Sequence, residues 1–384
     1  MTTPARPRHT AARPATAGPA SARPAATRRA SASPAPLPAA VSRLRALPPA
    51  SRRGPLRINA DELVAVSVLG QIAHPVGRAN PYRIGYDGVP RVLPGTGGIV
   101  LNHRIGDPCI GLAGDHIEPG VALHNNGREV VGPRDGPNTA LMTYACVGNV
   151  AEVVSGRMAG RRGTVSGKHG GINHVLVDFP SEVLARLTIG DRIQIRSLGL
   201  GLRLPDYPEV EVMNCAPLLL RRWGIRARDG ALHVPVTHFV PAVLMGSGLG
   251  KNTAWRGDYD IQMSNRPLRE RHRLGSLRFG DLVAIVDADV RRGPSVRDGR
   301  VTLGVIVHGD STASGHGPGV TPLLTGPNTV LRPFLDAGAN IAGRLGIRPP
   351  APPRRRATLP ERDPRRACIA RELPPRLSFA TGGG

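Results

Sequence analysis

Between Val150 and Val177 the chain reads as β-branched runs of two to four residues separated by glycines every few positions. Runs that short cannot form a helix of several turns, whereas glycine turns between β-branched segments are the signature of hairpins. Two later stretches, Leu187–Ile195 and Leu277–Ile285, share a further pattern in which a Gly-Asp turn opens a strand. Asp191 and Asp281 are therefore expected to be turn residues, since a short carboxylate can accept hydrogen bonds from nearby backbone amides. Gly98–Leu101 and Arg300–Val307 read as further strands, and Asn138–Gly148 is apolar enough for a buried one. Pro217–Gly224 and Pro241–Leu249 are short enough to be either helix or strand, and Asn328–Ile347 reads as helical. The class this implies is mainly β with a few short helices.

Charge divides the chain. The formal net charge is +23, but residues 1–53 hold ten Arg and no acid, and residues 348–384 hold nine Arg against three acids. The two ends thus carry 16 of the 23 charges. Segments 1–55 and 348–384 also lack apolar periodicity, and such compositions bury too little surface to offset ordering entropy, so both are expected to be disordered. Nucleic acid is expected at most as a weak partner of these Arg-rich tails. Only Lys168 and Lys251 are lysines and aromatics make up 3%, whereas single-strand binding surfaces rely on aromatic stacking. The ordered part divides by composition into 56–148, 149–215 and 216–347. Four scattered cysteines without a CxxC pair argue against a zinc ribbon or disulfide scaffold and suit a reducing cytoplasm. No apolar run approaches the ~20 residues of a membrane span.

Chemistry-bearing residues concentrate in loops. Leu101–Gly120 holds two histidines, three acids, one cysteine and four glycines just after a strand, the setting in which a rigid scaffold presents functional groups. Its order, strand, His103, Gly106-Asp107, Gly114-Asp115-His116, Glu118-Pro-Gly-Val121, returns about 205 positions later as strand, His308, Gly309-Asp310, His316, Pro318-Gly-Val320. Two further clusters are His169 with His174, and Asp258 with Asp260. Imidazoles and carboxylates together suit a divalent metal such as Zn, Mn or Fe. The expected ligands are His103, His116, His308 and His316, with Glu118, Asp115 and Asp310 as catalytic acids or bases. His169, His174, Asp258, Asp260 and Cys109 complete the candidate pool. Cys109 could instead be a nucleophile with a histidine base. Serine catalysis at Ser247 or Ser311 lacks a GxSxG elbow, and Gly246–Thr253 lacks the spacing of a phosphate loop.

Two resemblances follow. Val153–Val165, with Gly156, Gly160 and Gly163, resembles the KOW motif of small SH3-like barrels, which implies a small β-barrel over 149–215. The motifs LNHRIGD, GDHIEPGV, SGKHGGINHVLVDFP, LPDYP, MGSGLG, GDYDIQ and GVIVHGDSTASGHGPGVTPLLTGP occur in this order. Together they resemble the bacterial and archaeal family described as domain of unknown function 4438, over roughly residues 56–347. That resemblance implies a layered β-sandwich beside the barrel and supplies no activity.

The reading that leads is a metal-assisted hydrolase or lyase acting on a small polar molecule. The competing readings are an RNA-binding module presenting Arg157, Arg161, Arg162 and Lys168 on the barrel, and a non-catalytic scaffold. The repeated loop grammar makes a geometric prediction: at least three of His103, Asp115, His116, His308, Asp310 and His316 should face one shared cavity.

Overall fold

The computed structural model describes residues 56–77, 80–127 and 136–349. The N-terminal tail, and the C-terminal tail beyond Pro349, lie outside the described residues, as does the expectation of disorder placed on them. Among the described residues the fold is mainly β, with 35% strand, 13% helix and five short helices.

Strand β1 (Val66–Ile72) is followed by the short β2 (Arg83–Ile84), β3 (Pro90–Arg91) and β4 (Ile99–Val100), then β5 (Gly120–His124). After helix α1 (Pro137–Tyr144) come β6 (Val150–Val153), β7 (Arg162–His169) and β8 (His174–Asp178), helix α2 (Ser181–Leu184) and β9 (Arg192–Ser197). Six of these strands run in the order β1, β9, β6, β7, β8, β5, and Ile72 opposite Leu123 closes the ring. The expected small barrel is thus present. It takes two of its strands from before residue 148, because β1 pairs with β9 and β5 pairs with β8. Strand β9 shows why it closes: Arg192, Gln194 and Arg196 face out while Ile193 and Ile195 are buried, the period-2 alternation of a strand with one dry face. Val121, Leu123, Val153, Val165, Val177, Ile193 and Ile195 fill the interior.

The second half contains β10 (Glu211–Val212), α3 (Pro217–Arg222), β11 (Arg226–Arg228), β12 (Ala231–Val236), β13 (His238–Pro241), β14 (Tyr259–Asp260) and α4 (Arg266–Arg271). The long strands β15 (Leu282–Asp289), β16 (Ser295–Ile306) and β17 (Gly319–Pro327) follow, then β18 (Leu331–Leu335) and α5 (Ile341–Arg344). Strands β10, β17, β16, β15 and β13 form one sheet, with β14 pairing onto β17. Strands β11, β12 and β18 form another.

Two local expectations are corrected. Asn138–Tyr144 is helical, not a strand. Pro137 starts the helix with its φ already set, and Ala140, Leu141 and Met142 are strong helix formers. Leu141 and Met142 are buried in the barrel core, so an apolar run served a helix as well as a strand. Conversely, most of Asn328–Ile347 is not helical: Leu331–Leu335 lies parallel to β12, and only Ile341–Arg344 is α-helix. Pro333 lacks an amide hydrogen, which an edge strand such as β18 tolerates and a helix interior does not.

The barrel meets the large sheet where β7 approaches β17. Lys168 N donates to Thr321 Oγ1 at 3.1 Å, and that hydroxyl donates back to Lys168 O at 2.9 Å. Lys168 Nζ is buried and donates to Asn214 Oδ1, Trp255 O and Thr143 O. It is therefore an internal clamp, not the surface cation that the RNA-binding reading assigned to it. Among the described residues, no helix is long and apolar enough to cross a membrane.

Candidate metal centre

The two repeated loops meet in space, joined through their backbones. His116 N donates to Asp310 O at 3.1 Å, Gly309 N to Ile117 O at 2.9 Å and Asp310 N to Cys109 O at 3.0 Å. Arg104 anchors the first loop to the barrel through Asp178, with Nη2 to Oδ2 at 2.6 Å. His116 itself has φ of 57°, a left-handed conformation that costs a non-glycine residue ~1–3 kcal/mol and that clusters at functional sites.

The rings of His116 and His308 are 5.0 Å apart between centroids, those of His116 and His316 also 5.0 Å, and those of His169 and His308 4.2 Å. Three of the six residues expected to share one place therefore do so. The histidines of this cluster, His169 among them, arrive by different routes. His308 follows β16 and His169 ends β7, while His316 lies in the turn before β17. Asp258 and Asp260 flank Tyr259, so strand alternation sends both carboxylates to one face and the buried tyrosine to the other.

Among the described residues, two groups of side chains could hold a metal ion: His116, Asp260 and His316, and His169, Asp258 and His308. In the first, His116 Nε2 lies 3.0 Å from His316 Nδ1 and 3.5 Å from Asp260 Oδ2, and His316 Nδ1 is 3.1 Å from that oxygen. In the second, His308 Nε2 is 2.8 Å from Asp258 Oδ2. A tetrahedral ion with bonds of about 2.1 Å separates its donors by roughly 3.4 Å, so these spacings are of the size that an ion requires.

Every buried histidine in the two groups has its other nitrogen held by an acceptor. His116 Nδ1 donates to Asp115 Oδ1 at 3.0 Å, His169 Nδ1 to Glu118 Oε1 at 2.6 Å and His308 Nδ1 to Gly309 O at 3.0 Å. This is the arrangement that fixes the tautomer of a metal-binding imidazole and turns its second nitrogen toward the ion. The two supporting carboxylates are themselves held. Asp115 accepts from Ser311 Oγ at 2.6 Å and pairs with Arg83, while Glu118 accepts from Gly97 N at 2.6 Å and from His174 Nδ1. Burial alone would raise the pKa of Glu118, but His169 and His174 outweigh it and hold the group well below the usual carboxylate range. Burial likewise opposes ionisation of Asp260, and the surrounding His116, His308 and His316 lower it strongly. His308 moves the other way, raised by Asp258 and Asp260 against the cost of burial.

Backbone proximity bounds the centre on one side. A Cβ on Gly319 would lie 1.9 Å from Asp258 Oδ2 and 2.2 Å from His308 Nε2, so only glycine lets β17 pass the donors. Gly170 N donates to Asp258 Oδ1 at 2.7 Å, which leaves Oδ2 directed at the centre.

Several sequence candidates stand elsewhere. His103 is half-buried and belongs to neither group. Asp310 accepts from Ser311 N and lends the backbone that joins the loops, outside both groups. Cys109 is a core residue whose thiol burial pushes well above its ordinary range, which keeps it protonated and a poor nucleophile. Glu118 and Asp115 stand behind the histidines, where the sequence pattern had suggested general bases. His169, Asp258 and Asp260, secondary on sequence grounds, supply half of the donors. The signal for the aspartates was Asp-Tyr-Asp at strand spacing. A cleft of about 520 Å³ lined by Asn59, Glu62, Tyr144 and Arg203 contains none of the donors. The convergence of side chains is the better guide, since an ion needs donor atoms and not a large void.

The family model described as domain of unknown function (DUF4438), N-terminal, matches residues 82–221, and its C-terminal counterpart matches residues 222–345. The chain belongs to the DUF4438 family. A solved chain described as "Crystal structure of TM1086" is similar to it, with 44% identity, a TM-score of 0.70 and coverage of 75% of this chain and 99% of that one. A search of curated proteins found no match. Both halves of the DUF4438 match contribute donors to the centre, His116 and His169 from the first and Asp258, Asp260, His308 and His316 from the second.

Proposed function

We propose that this DUF4438 protein is a divalent-metal-dependent hydrolase or lyase acting on a small polar molecule. The observation that carries the proposal is the group His116, Asp260 and His316. Its three donors come from three separate segments, and the side chain of His316 is 35% exposed while that of His116 is 9% exposed. Three protein donors on a partly open wall match a catalytic ion, which keeps a coordination position for water or substrate. Such an ion polarises a bound carbonyl or phosphoryl oxygen and acidifies a bound water.

In this reading His116 and His316 hold the ion, Asp260 offsets its charge, and Asp115 orients His116. Glu118 orients His169 and does not act as the base. The RNA-binding alternative is weaker, since Lys168 is fully buried and Arg162 pairs with Glu152 at 3.1 Å.

The test uses the full chain, stripped by chelator and reloaded separately with Zn²⁺, Mn²⁺ or Fe²⁺. A panel of small esters, lactones, amides and phosphoesters is then assayed before and after reloading. The proposal expects turnover that appears with the ion and is absent in His116→Ala. Failure to take up any of these ions overturns it.

A further inference from the structure

The second group, His169, Asp258 and His308, is deeper than the first and holds the most telling pair of atoms. His308 Nδ1 donates to a backbone carbonyl, which can only accept, so a neutral His308 presents a bare lone pair at Nε2. Asp258 Oδ2 lies 2.8 Å from that nitrogen, off the line along which a ring N–H would donate. Neither atom has an aligned hydrogen-bond partner among the described residues, although His308 is 0% and Asp258 5% exposed. Two buried acceptors at that distance repel unless a cation lies between them or the ring carries a second proton.

Asp260 links this group to the first. Its Oδ2 lies 3.1 Å from His316 Nδ1 and 3.5 Å from His116 Nε2, while its Oδ1 lies 3.5 Å from His308 Nε2. One carboxylate thus turns an oxygen toward each group, as a ligand bridging two ions does. Two-ion centres hold their ions about 3.5–4 Å apart, a separation that the 5.0 Å between the His116 and His308 rings accommodates.

We infer that the centre is binuclear: an inner divalent cation bound by His169, Asp258 and His308, an outer one by His116 and His316, and Asp260 bridging the two. The inference rests on the proposed metal-dependent function and adds a second ion to it. The two positions differ in access. The inner donors are buried, whereas His316 opens the outer position to solvent, so the outer ion exchanges first. Two ions on one carboxylate clamp both oxygens of a displacement reaction, which favours hydrolysis of an ester, amide or phosphoester over elimination.

The test is metal stoichiometry and magnetic coupling in the untagged full chain. The stripped protein is titrated with Mn²⁺, with bound ion measured by elemental analysis and the spin signal by electron paramagnetic resonance. Two equivalents per chain with an exchange-coupled signal are expected. His316→Ala alters a half-exposed residue and is expected to leave one equivalent and an uncoupled six-line signal, with its circular dichroism spectrum unchanged. Asp258→Asn, checked in the same way for folding, is expected to remove the inner ion. One equivalent in the wild-type chain, with Asp258→Asn binding as well as wild type, overturns the binuclear centre while leaving the single-ion function standing. Two equivalents without coupling, both retained in His316→Ala, also overturn it. No bound ion removes both readings and assigns the 2.8 Å pair to an imidazolium and a carboxylate.

Discussion

Ser311 Oγ donates a 2.6 Å hydrogen bond to Asp115 Oδ1, across 196 positions of sequence. The same oxygen accepts from His116 Nδ1 at 3.0 Å, so the second loop helps to aim a histidine carried by the first. Asp115→Asn replaces a charged acceptor with an amide and loosens both His116 and Arg83. Removing a carboxylate that orients a metal-binding histidine typically costs 10–100-fold in affinity. That loss is expected in competition titration against a chromophoric chelator, with Ser311→Ala losing less than about tenfold because the carboxylate remains. Wild-type affinity in Asp115→Asn would show that Asp115 has no orienting role.

Glu118 is fully buried among three donors, Gly97 N, His169 and His174. Glu118→Gln keeps the shape but turns a donating NH₂ toward a donor and removes the charge that the histidines face. The unfolding free energy is expected to fall by about 2–4 kcal/mol, the scale of a broken buried charged network. Urea unfolding with the stripped protein isolates this from metal loss, and a change below about 0.5 kcal/mol, the size of an ordinary surface substitution, would contradict it.

Gly319→Ala adds one methyl group against Asp258 and His308, at 1.9 Å and 2.2 Å. Either neighbour can retreat only by giving up a hydrogen bond, Gly170 N to Asp258 or His308 Nδ1 to Gly309 O. The variant is expected to lose the inner ion while remaining folded, read by elemental analysis beside circular dichroism. Full metal content would mean that the wall is softer than these distances imply.

His238 gives a pH dependence away from the centre. Its Nδ1 lies 2.8 Å from Thr237 Oγ1 and its Nε2 3.0 Å from Ser276 Oγ. Burial, helped by Arg278 and Arg273, pushes its pKa down from 6.5 to about 4, against a smaller opposing effect of a backbone hydrogen bond at Arg273. Between these values the unfolded chain binds a proton that the folded chain refuses, so stability is full above pH 6.5 and declines as pH falls toward 4. The decline attributable to this residue is at most about 3–4 kcal/mol, because each tenfold loss of proton affinity on folding is worth ~1.4 kcal/mol. The difference between wild type and His238→Gln in urea unfolding at neutral and acidic pH measures it. Parallel pH profiles for the two proteins would sink the idea.

Local chemistry made much of this molecule readable from its residues in order. Gly-Asp turns are short-range devices, and both act as expected: Asp191 Oδ2 accepts from Thr188 N at 2.8 Å and Asp281 Oδ2 from Arg278 N at 2.9 Å. Glycine-punctuated β-branched runs specified hairpins because turn and strand preferences span only a few residues. The apolar run Asn138–Tyr144 did not choose between helix and strand, since apolar content without a clear period suits both, and burial against the barrel decided it. The loop grammar was enough to bring His116, His308 and His316 together. It also promoted His103, Asp310 and Glu118, because residue type and loop position do not say which way a side chain points. That was decided by tertiary contacts: backbone bonds between the loops turned His116 inward, and Glu118 was taken up by three donors behind the site. The donors come from the Leu101–Gly120 loop, the end of β7, the edge strand β14 with the residue before it, and the two ends of the β16–β17 connection, of which only the first and the last share a sequence pattern. Their pairing into an inner and an outer group depends on distances of 3–5 Å across the meeting of barrel and sheet, which only the packed chain sets.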